Sequence, residues 1–377
     1  MKILFLITKA EVGGAQKMTL TLSKELKRRG HEVMLGLGKN TGTFLIDELQ
    51  KEDIPFHTFS YLSRSLNPLL IFQFKKEFSQ FLSKNSFDVI HLNSSNTLPA
   101  AEVTKKKSPK TKTVFTFRGL SYLDPGSKKY LLKFFFQKFY LHYLPFIDHP
   151  VFVSQTNREY ANKINLCKSQ EVVYNAPEVE YLSKQESEEE LERLIHKEKG
   201  FLREKQILGS IGRLAYPKNY ELIFKALPKL LQTNPNILFF LFGSGPEFQN
   251  YQSIIQKENL SENVFILQAE NAAQYLKGFH IFVLPSLYEG LSITLIEALQ
   301  AHIPIVASDV GGSHEVLHDD TNQLFESGHE TALCEKIKAF LDNRMLFEET
   351  IEKNKVFSKD FGVKTMVEDY LKIYTKK

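Results

Sequence analysis

Short apolar runs alternate with amphipathic segments from the start of the chain. The run "KILFLIT" (2–8) has the length of a buried strand, and "EVMLGLG" (32–38) is a second run of the same kind. Between them, apolar residues recur every three or four positions, the last residues are basic and a glycine follows, which is typical of an amphipathic helix and its end. The pattern predicts a strand–helix–strand unit whose parallel crossover is right-handed.

The same alternation continues along the chain, with one interruption. The densely charged segment 176–206 is interpreted as a domain boundary that carries an exposed helix. Strands of a parallel sheet covered on both faces are continuous apolar runs. Eight further runs of this type predict strands, at 87–93, 112–119, 149–155, 206–214, 236–245, 263–269, 279–286 and 303–312.

These two series predict an α/β protein with two doubly wound, Rossmann-like domains. We place the N-terminal domain at 1–178 and the C-terminal domain at 179–361, and the amphipathic segment 362–377 is predicted to form a final helix. In such domains ligands bind beyond the carboxyl ends of the strands. Two sheets facing each other would form a cleft.

Composition and charge narrow the class of protein. Hydrophobic residues make up 42% and charged residues 24% of 377, which is ordinary for a globular chain. The first apolar run is too short for a signal peptide, and no stretch reaches the ~18 apolar residues of a membrane span. Cys167 and Cys334 lack metal-ligand spacing and are interpreted as small core residues, so we expect a cytoplasmic protein.

Positive charge is concentrated in the first half. Residues 1–180 hold 26 Lys and Arg against 16 Asp and Glu, whereas the remainder holds 22 against 28. The first half is therefore expected to prefer an anionic partner. Nucleic acid is not predicted, because no zinc-finger, helix-turn-helix or RNA-recognition motif is present.

Three loops after predicted strands contain glycines or cations. Gly13 and Gly14 precede a helix whose free N–H groups suit a phosphate, although a plain tight turn fits equally well. Arg213 and Lys218 in "IGRLAYPKN" could bind a phosphate or simply be solvated. "LFGSGPEFQ" lacks the third glycine of a dinucleotide fingerprint and is interpreted as a strand-to-helix turn.

The stretch "PSLYEGLSITLIEAL" holds two glutamates eight positions apart. Glu289 lies on the turn after a strand, and Glu297 lies in the helix that follows. Thr294 and Glu297 fit a capping box, and Ser292 could cap the helix instead. Alternatively, the amides of 290–293 face a diphosphate, Glu297 accepts hydrogen bonds from two ribose hydroxyls, and Glu289 reaches a sugar.

This block resembles the signature of the retaining glycosyltransferases of family 4 (group 1), which have the GT-B fold. The motifs "GGAQ", "DVIHLN", "VYNAPEV", "IGRLAYPKNYELIFKAL" and "FGSGPE" match in order, so the resemblance covers nearly the whole chain. It implies a nucleoside-diphosphate sugar on the C-terminal domain and an acceptor on the N-terminal domain. It also implies that the final helix returns to the N-terminal domain.

The resemblance assigns roles to particular residues. Catalysis would depend on Glu289, Arg213, Lys218 and His91, with the two cations on the diphosphate. The cations and a helix end would stabilise the leaving diphosphate, and the anomeric configuration would be retained. No Asp-x-Asp motif is present, so neither a catalytic metal nor a cofactor is expected. The donor would be held by Gly13, Gly14, Arg213, Lys218, Glu289, Gly290, Leu291, Ser292 and Glu297.

The acceptor site departs from the family pattern. After "TVFTF" many members have a histidine, but here Arg118 and Gly119 follow. Arginine cannot act as a base at neutral pH, although it can bind phosphate. His91, on a neighbouring strand, could approach the reacting centre or merely pack. The predicted acceptor residues are His91, Asn93, Arg118 and Gly119.

The segment 128–149 combines lysines with aromatic residues and, with the basic segment 105–112, could contact an anionic membrane. An ordinary, mostly buried helix with a lysine edge is the alternative. Peripheral contact would suit assembly of lipid-linked glycans or lipopolysaccharide at the inner face of the plasma membrane. The residues concerned are Lys128, Lys129, Lys133 and Lys138, with Phe135, Phe139 and Tyr143.

Two other functions remain open from the sequence. A nucleotide-sugar epimerase has the same architecture, and a non-catalytic subunit that binds sugar nucleotides would keep the same binding groups.

Overall fold

The computed structural model describes residues 1–39, 42–120, 123, 130–169 and 171–376, with Tyr130 and Leu131 described by their backbone alone. The predicted membrane lysines Lys128 and Lys129 lie outside these ranges. The chain divides into two compact units, 1–177 with 362–377, and 178–361. Among the described helices, none combines the length and apolar character needed to cross a membrane.

The N-terminal unit is built on a seven-stranded parallel sheet in the order β3-β2-β1-β4-β5-β6-β7. The reversal of strand order lies between β1 and β4. The strands are β1 (Lys2–Ile7), β2 (Glu32–Gly38), β3 (Phe56–Phe59), β4 (Val89–Leu92), β5 (Lys112–Phe117), β6 (His149–Phe152) and β7 (Glu171–Val172).

Helices cover both faces of this sheet. Successive residues of β1 enter different cores, with Leu4 and Leu6 in the core on one face of the sheet and Ile3, Phe5 and Ile7 in the core on the other. This is why the strand is apolar at every position rather than at alternate ones. The helices are α1 (Gly14–Arg28), α2 (Phe44–Lys51), α3 (Pro68–Leu82), α4 (Pro99–Lys107), α5 (Tyr130–Tyr143) and α6 (Gln155–Lys163).

The C-terminal helix α14 (Val363–Thr375) belongs to this unit, the position that the family resemblance implied. Its residues Met366, Val367 and Tyr370 are buried in the same core as β1 and α1. The Lys112 ammonium bonds the carbonyl oxygens of Tyr374, at 2.8 Å, and Lys376. A cation at the carboxyl end of a helix satisfies free carbonyls and complements the helix dipole.

The C-terminal unit has a six-stranded parallel sheet in the order β10-β9-β8-β11-β12-β13. All six residues of β9 are buried, as expected for a central strand. The strands are β8 (Gln206–Ile211), β9 (Ile237–Phe242), β10 (Val264–Leu267), β11 (Ile281–Leu284), β12 (Ile305–Ser308) and β13 (Leu324–Phe325). The helices are α7 (Lys184–Leu194), α8 (Glu221–Thr233), α9 (Phe248–Lys257), α10 (Ile293–Gln300), α11 (Ser313–Val316), α12 (Glu330–Asp342) and α13 (Arg344–Phe357).

All ten predicted strands are present, and the charged boundary segment contains α7. Three strands were missed. β3 is only partly buried and carries a histidine and a threonine, while β7 and β13 are two residues long and have no sequence pattern of their own.

The cysteines are both free, and burial raises the pKa of the Cys167 thiol to about 11, which fits a packing role.

The aromatic helix α5 is divided between core and surface. Tyr143 is buried, and Phe139 is half-buried against the core, as the alternative of a mostly buried helix predicted for these two residues. Phe135 and its neighbour Phe134 are 55% and 56% exposed. Part of the predicted membrane surface therefore belongs to the core, and part remains outside.

Candidate functional site

The strand order of the C-terminal unit places the loops after β8 and β11 side by side. These two strands are neighbours at the point where the order reverses, which is where ligands bind in doubly wound sheets. A hydrogen bond of 2.8 Å from the Leu287 amide to the Pro217 carbonyl joins the loops. Arg213 and Lys218 lie on the first loop and Glu289 lies on the second, so three predicted site residues belong to this edge of the sheet.

Lys218 and Glu289 form an ion pair at this edge. The Lys218 Nζ lies 2.6 Å from Glu289 Oε1, and their side chains are 19% and 13% exposed. The Ser286 hydroxyl donates to the same carboxylate oxygen at 2.7 Å. Burial is the largest single influence and lowers the pKa of Lys218, but the charge of Glu289, the nearby Tyr220 and the hydrogen bond to Glu289 together outweigh it, so the net pKa is raised. Lys218 is thus held as a charged, oriented ammonium group.

This ion pair was not predicted. The prediction placed the Lys218 ammonium against the diphosphate and the Glu289 carboxylate against a sugar, with no contact between the two side chains. Arg213, by contrast, is exposed and has no ion pair or hydrogen bond with any residue that the structure describes. The two predicted cations therefore differ: one is fixed by a carboxylate, and the other is free to move.

The helix α10 begins directly after the Glu289 turn. Ser292 is its N-cap, and its hydroxyl accepts a hydrogen bond of 3.4 Å from the Leu295 amide. The capping box of Thr294 with Glu297 is therefore wrong, because the third helical position is Leu295. Glu297 lies one turn further on and is only 4% exposed. Its backbone carbonyl accepts a hydrogen bond from the Tyr181 hydroxyl at 2.7 Å.

Glycines let the backbones of these loops approach one another. Gly311, with φ of +54°, packs so closely that a Cβ there would lie 1.9 Å from the Glu289 carbonyl oxygen. The next amide, of Gly312, donates to the Gly290 carbonyl at 2.8 Å. These glycines end the apolar run 303–312, and the sequence predicted no role for them. A glycine pair after a strand was the available signal.

The "GSGP" loop has a similar supporting role. A Cβ on Gly243 would lie 1.9 Å from the Gly212 carbonyl oxygen, and one on Gly245 would lie 2.2 Å from that of Leu214. The loop connects β9 to α9, so the strand-to-helix interpretation is confirmed. It supports the Arg213 loop from the side.

In the N-terminal unit, Gly13 and Gly14 lie at the equivalent reversal point, after β1. Gly13 is the N-cap of α1 in an extended conformation, and Gly14 is the first helical residue. The Thr8 hydroxyl lies 2.5 Å from that of Ser94, which ties this loop to the one after β4. The arrangement leaves the first amides of α1 at the carboxyl edge of the sheet.

The predicted catalytic role of His91 needs correction. The side chain is 0% exposed, with Nδ1 2.6 Å from the Tyr374 hydroxyl and Nε2 2.7 Å from Thr116 Oγ1. Burial, and secondarily the charge of Arg118, hold the pKa of His91 well below its usual value. Both ring nitrogens are occupied under α14, so the packing alternative is the one that the structure supports.

Arg118, Asn93 and Gly119 lie together at the carboxyl ends of β4 and β5. Arg118 Nη2 donates to Asn93 Oδ1 at 2.8 Å, and Nη1 donates to Asn175 Oδ1 at 2.6 Å. Gly119 follows and is half-buried. Three of the four predicted acceptor residues therefore remain near the edge of the sheet.

The comparisons with known proteins cover the chain in two parts. The model described as Glycosyltransferase Family 4 matches residues 12–181, and that of Glycosyl transferases group 1 matches residues 192–357. Within the described residues, no cluster of three His, Cys, Asp or Glu side chains could hold a metal ion.

Two curated relatives and one solved structure illustrate the similarity. An uncharacterized glycosyltransferase of Haemophilus influenzae is 26% identical over 47% of this chain and 51% of its own length. A Campylobacter jejuni enzyme, N-acetylgalactosamine-N,N'-diacetylbacillosaminyl-diphospho-undecaprenol 4-alpha-N-acetylgalactosaminyltransferase, is 28% identical over 54% and 53%. The matches thus span about half the length of these relatives.

The Anabaena protein HepE in complex with UDP superposes over 100% of both chains with a TM-score of 0.80 at 18% identity. At that identity the likeness shows the fold, and the predicted GT-B architecture of two Rossmann-like units is confirmed. Because the two family models together match most of the sequence, the chain belongs to the family 4, group 1 glycosyltransferases.

Proposed function

We propose that the protein transfers a sugar from a nucleoside-diphosphate sugar to a glycan or lipid-linked acceptor, with retention of configuration. The observation that carries the proposal is the oriented Lys218 beside the amino end of α10, with the buried carboxylate residue Glu297 one turn into that helix. Cation, helix amides and carboxylate match a diphosphate followed by a ribose.

The ion pair gives Lys218 a specific part in this scheme. An ammonium has three N–H donors, so Lys218 can keep its bond to Glu289 and still donate to a phosphate oxygen. It would then separate the Glu289 carboxylate from the diphosphate and remove most of their repulsion. Glu289, steadied by Ser286, would accept hydrogen bonds from the donor sugar.

The chemical step follows from the charges. When the sugar–phosphate bond breaks, negative charge grows on the diphosphate, and Lys218, Arg213 and the α10 amides stabilise it. A leaving-group oxygen takes the proton of the attacking hydroxyl, so no side-chain base, metal or cofactor is needed. Gly13 and Gly14 would contribute the amino end of α1 to the phosphates.

The acceptor is proposed to bind the N-terminal unit near Asn93, Arg118 and Gly119. The Campylobacter jejuni relative is named for transfer to a sugar on diphospho-undecaprenol, which supports a lipid-linked acceptor and a role in cell-surface polysaccharide or lipopolysaccharide synthesis.

The donor site is tested by a thermal-shift screen with UDP, GDP and ADP sugars. At least one should stabilise the protein, and Glu297→Gln should weaken its binding about tenfold, because a carboxylate hydrogen bond to a hydroxyl is lost. Glu335→Gln, at an exposed position on α12, should have no effect. If no nucleotide sugar stabilises the protein at millimolar concentration, the donor-site proposal fails.

Turnover separates the remaining functions. A transferase releases nucleoside diphosphate with an acceptor present and remains active in EDTA, and NMR of the product shows a retained anomer. An epimerase would change the donor sugar without an acceptor, and a binding subunit would give no product at all.

Peripheral contact with an anionic membrane is proposed for the surface that joins α3 and α5. Leu69 and Phe72 on α3 are 62% and 65% exposed, close to the exposure of Phe134 and Phe135 on α5. A pocket of about 390 Å³ lies between residues of the two helices, with Phe72, Phe139 and others in its walls. Exposed apolar side chains beside lysines suit the headgroup region of the inner plasma-membrane leaflet.

Vesicle sedimentation tests this contact. The wild-type protein should bind vesicles containing phosphatidylglycerol better than phosphatidylcholine alone, and the double variant Phe134→Ser, Phe135→Ser should bind less. Met345→Ser changes an apolar residue of the C-terminal unit that is even more exposed, at 68%, and should bind normally. Equal binding by all three proteins would rule out this surface.

A further inference from the structure

Arg118 is an interior cation whose hydrogen bonding is incomplete. Two of its five N–H groups donate to the side-chain oxygens of Asn93 and Asn175. Its Nε is buried and has no hydrogen-bond partner. The residue as a whole is half-buried and lies at the carboxyl edge of the sheet, where the loops that follow β4 and β5 meet solvent.

Among the residues that the structure describes, the charge of Arg118 has no acidic partner. In the described part of the chain no Asp or Glu lies within 4.0 Å of it, and its partners are neutral amides. His91, Tyr370 and Tyr374 lie nearby. Burial keeps the His91 imidazole neutral and the Tyr374 hydroxyl protonated. A guanidinium is always charged, and placing it inside a protein without an anion is costly.

We propose that Arg118 forms an oxyanion subsite in the N-terminal unit that binds a phosphate group. Its planar fork matches two phosphate oxygens, and the two asparagines fix the orientation of that fork. The inference deepens the proposed function, on which it depends for the origin of the phosphate, either the donor diphosphate or a phosphorylated acceptor.

The test measures inorganic phosphate binding by thermal shift at constant ionic strength, with and without saturating UDP. Phosphate should stabilise the wild-type protein, and Arg118→Gln should weaken the apparent binding about tenfold or more. Arg158→Gln is the matched control, since Arg158 belongs to the same unit, is 21% exposed and already pairs with Glu159 at 3.3 Å. It should behave as wild type.

Saturating UDP distinguishes the two sources. If the acceptor supplies the phosphate, phosphate still stabilises the UDP-bound wild-type protein through Arg118, and Arg118→Gln leaves UDP affinity unchanged. If the donor supplies it, UDP suppresses the phosphate effect and Arg118→Gln weakens UDP binding. Either result supports the subsite. The phosphate-subsite proposal is wrong if phosphate does not stabilise the wild-type protein, or if it stabilises Arg118→Gln equally. Arg118 would then only connect two asparagines by hydrogen bonds.

Further measurements distinguish loss of the phosphate subsite from misfolding of the variant and from failure of the donor-site proposal. Arg118→Lys keeps the charge without the fork and should give an intermediate phosphate affinity. Protection of Arg118 from phenylglyoxal by phosphate, mapped by mass spectrometry, tests the wild-type protein directly. Failure of every nucleotide sugar to bind would sink the proposed function, yet the contrast in phosphate binding between Arg118→Gln and Arg158→Gln would still decide the subsite.

Discussion

The two units carry polar groups at equivalent edges of their sheets, but they use them differently. In the C-terminal unit, Lys218 and Glu289 pair at the surface of the edge, where a ligand can reach them. In the N-terminal unit, His91 and Thr116 are sealed beneath α14 and bond to its tyrosines. Position at the carboxyl end of a strand therefore does not make a residue functional. A residue at such an edge can bind a ligand only where no other element covers it; in the N-terminal unit α14 covers His91 and Thr116, and they bond to that helix instead.

The largest effect is expected from removal of the Lys218 ammonium, which abolishes the accessible ion pair that distinguishes the C-terminal unit from the N-terminal unit. Lys218→Met leaves the partly buried Glu289 carboxylate unpaired and removes the proposed phosphate contact. UDP affinity should fall about 100-fold or more, because a charged hydrogen bond to phosphate contributes about 1.5–3 kcal/mol and the Glu289 carboxylate would then repel the diphosphate. Isothermal titration with UDP measures this. Lys225→Met, at an exposed position on α8, is the control, and a similar affinity in both variants would contradict the assignment.

The close approach beneath Glu289 can be tested with two glycines of positive φ. Gly311→Ala places a methyl group against the Glu289 carbonyl, whereas Gly328, with φ of +80°, has open space around it. Both variants carry backbone strain, so Gly311→Ala should lose about 1–3 kcal/mol more stability in urea unfolding. Only this variant should also weaken UDP binding, because the Glu289 loop must move. Equal losses would mean that the contact is unimportant.

A buried histidine makes the stability of the C-terminal unit depend on pH. Burial lowers the pKa of His280 to about 4, and its Nδ1 accepts the Ile207 amide hydrogen at 3.0 Å. The unfolded chain takes up this proton near pH 6.5, so the free energy of unfolding should fall by about 1.4 kcal/mol per pH unit between pH 6.5 and 4. Above pH 6.5 the group has no effect.

His280→Asn should reduce the slope by about that amount, because the asparagine oxygen can still accept the Ile207 amide hydrogen but does not titrate, whereas the buried His91 still does. Urea unfolding at several pH values measures the difference. The exposed His142→Asn variant should keep the wild-type slope. A slope unchanged by His280→Asn would show that other groups cause the acid sensitivity.

The smallest effect is expected from the sealed edge of the N-terminal unit. Tyr374→Phe removes the hydroxyl that bonds His91, and stability should fall by about 1 kcal/mol while UDP affinity is unchanged. Tyr61→Phe, at a tyrosine that is 40% exposed, should leave stability unchanged. If Tyr374→Phe instead lowers turnover without lowering stability, His91 has a role in the reaction after all.

The sequence predicted some of the site because the cues were local. Arg213, Lys218 and Glu289 were found because each follows a strand that is apolar throughout. The ion pair between Lys218 and Glu289 was not found, since the two residues are 71 positions apart and meet only when β8 and β11 become neighbours. Ser292 rather than Thr294 caps α10, a choice that the backbone geometry makes among similar residues.

By itself, the sequence determined the alternation of strands and helices, since burial of a parallel sheet on both faces demands long apolar runs that a reader can recognise. Only the tertiary structure decided which polar residues stay accessible. His91 is sealed by Tyr374, 283 positions away, and among the described residues Arg118 bonds two amides and no acid. Solvation and charge pairing depend on neighbours in space, and the order of residues along the chain does not reveal them.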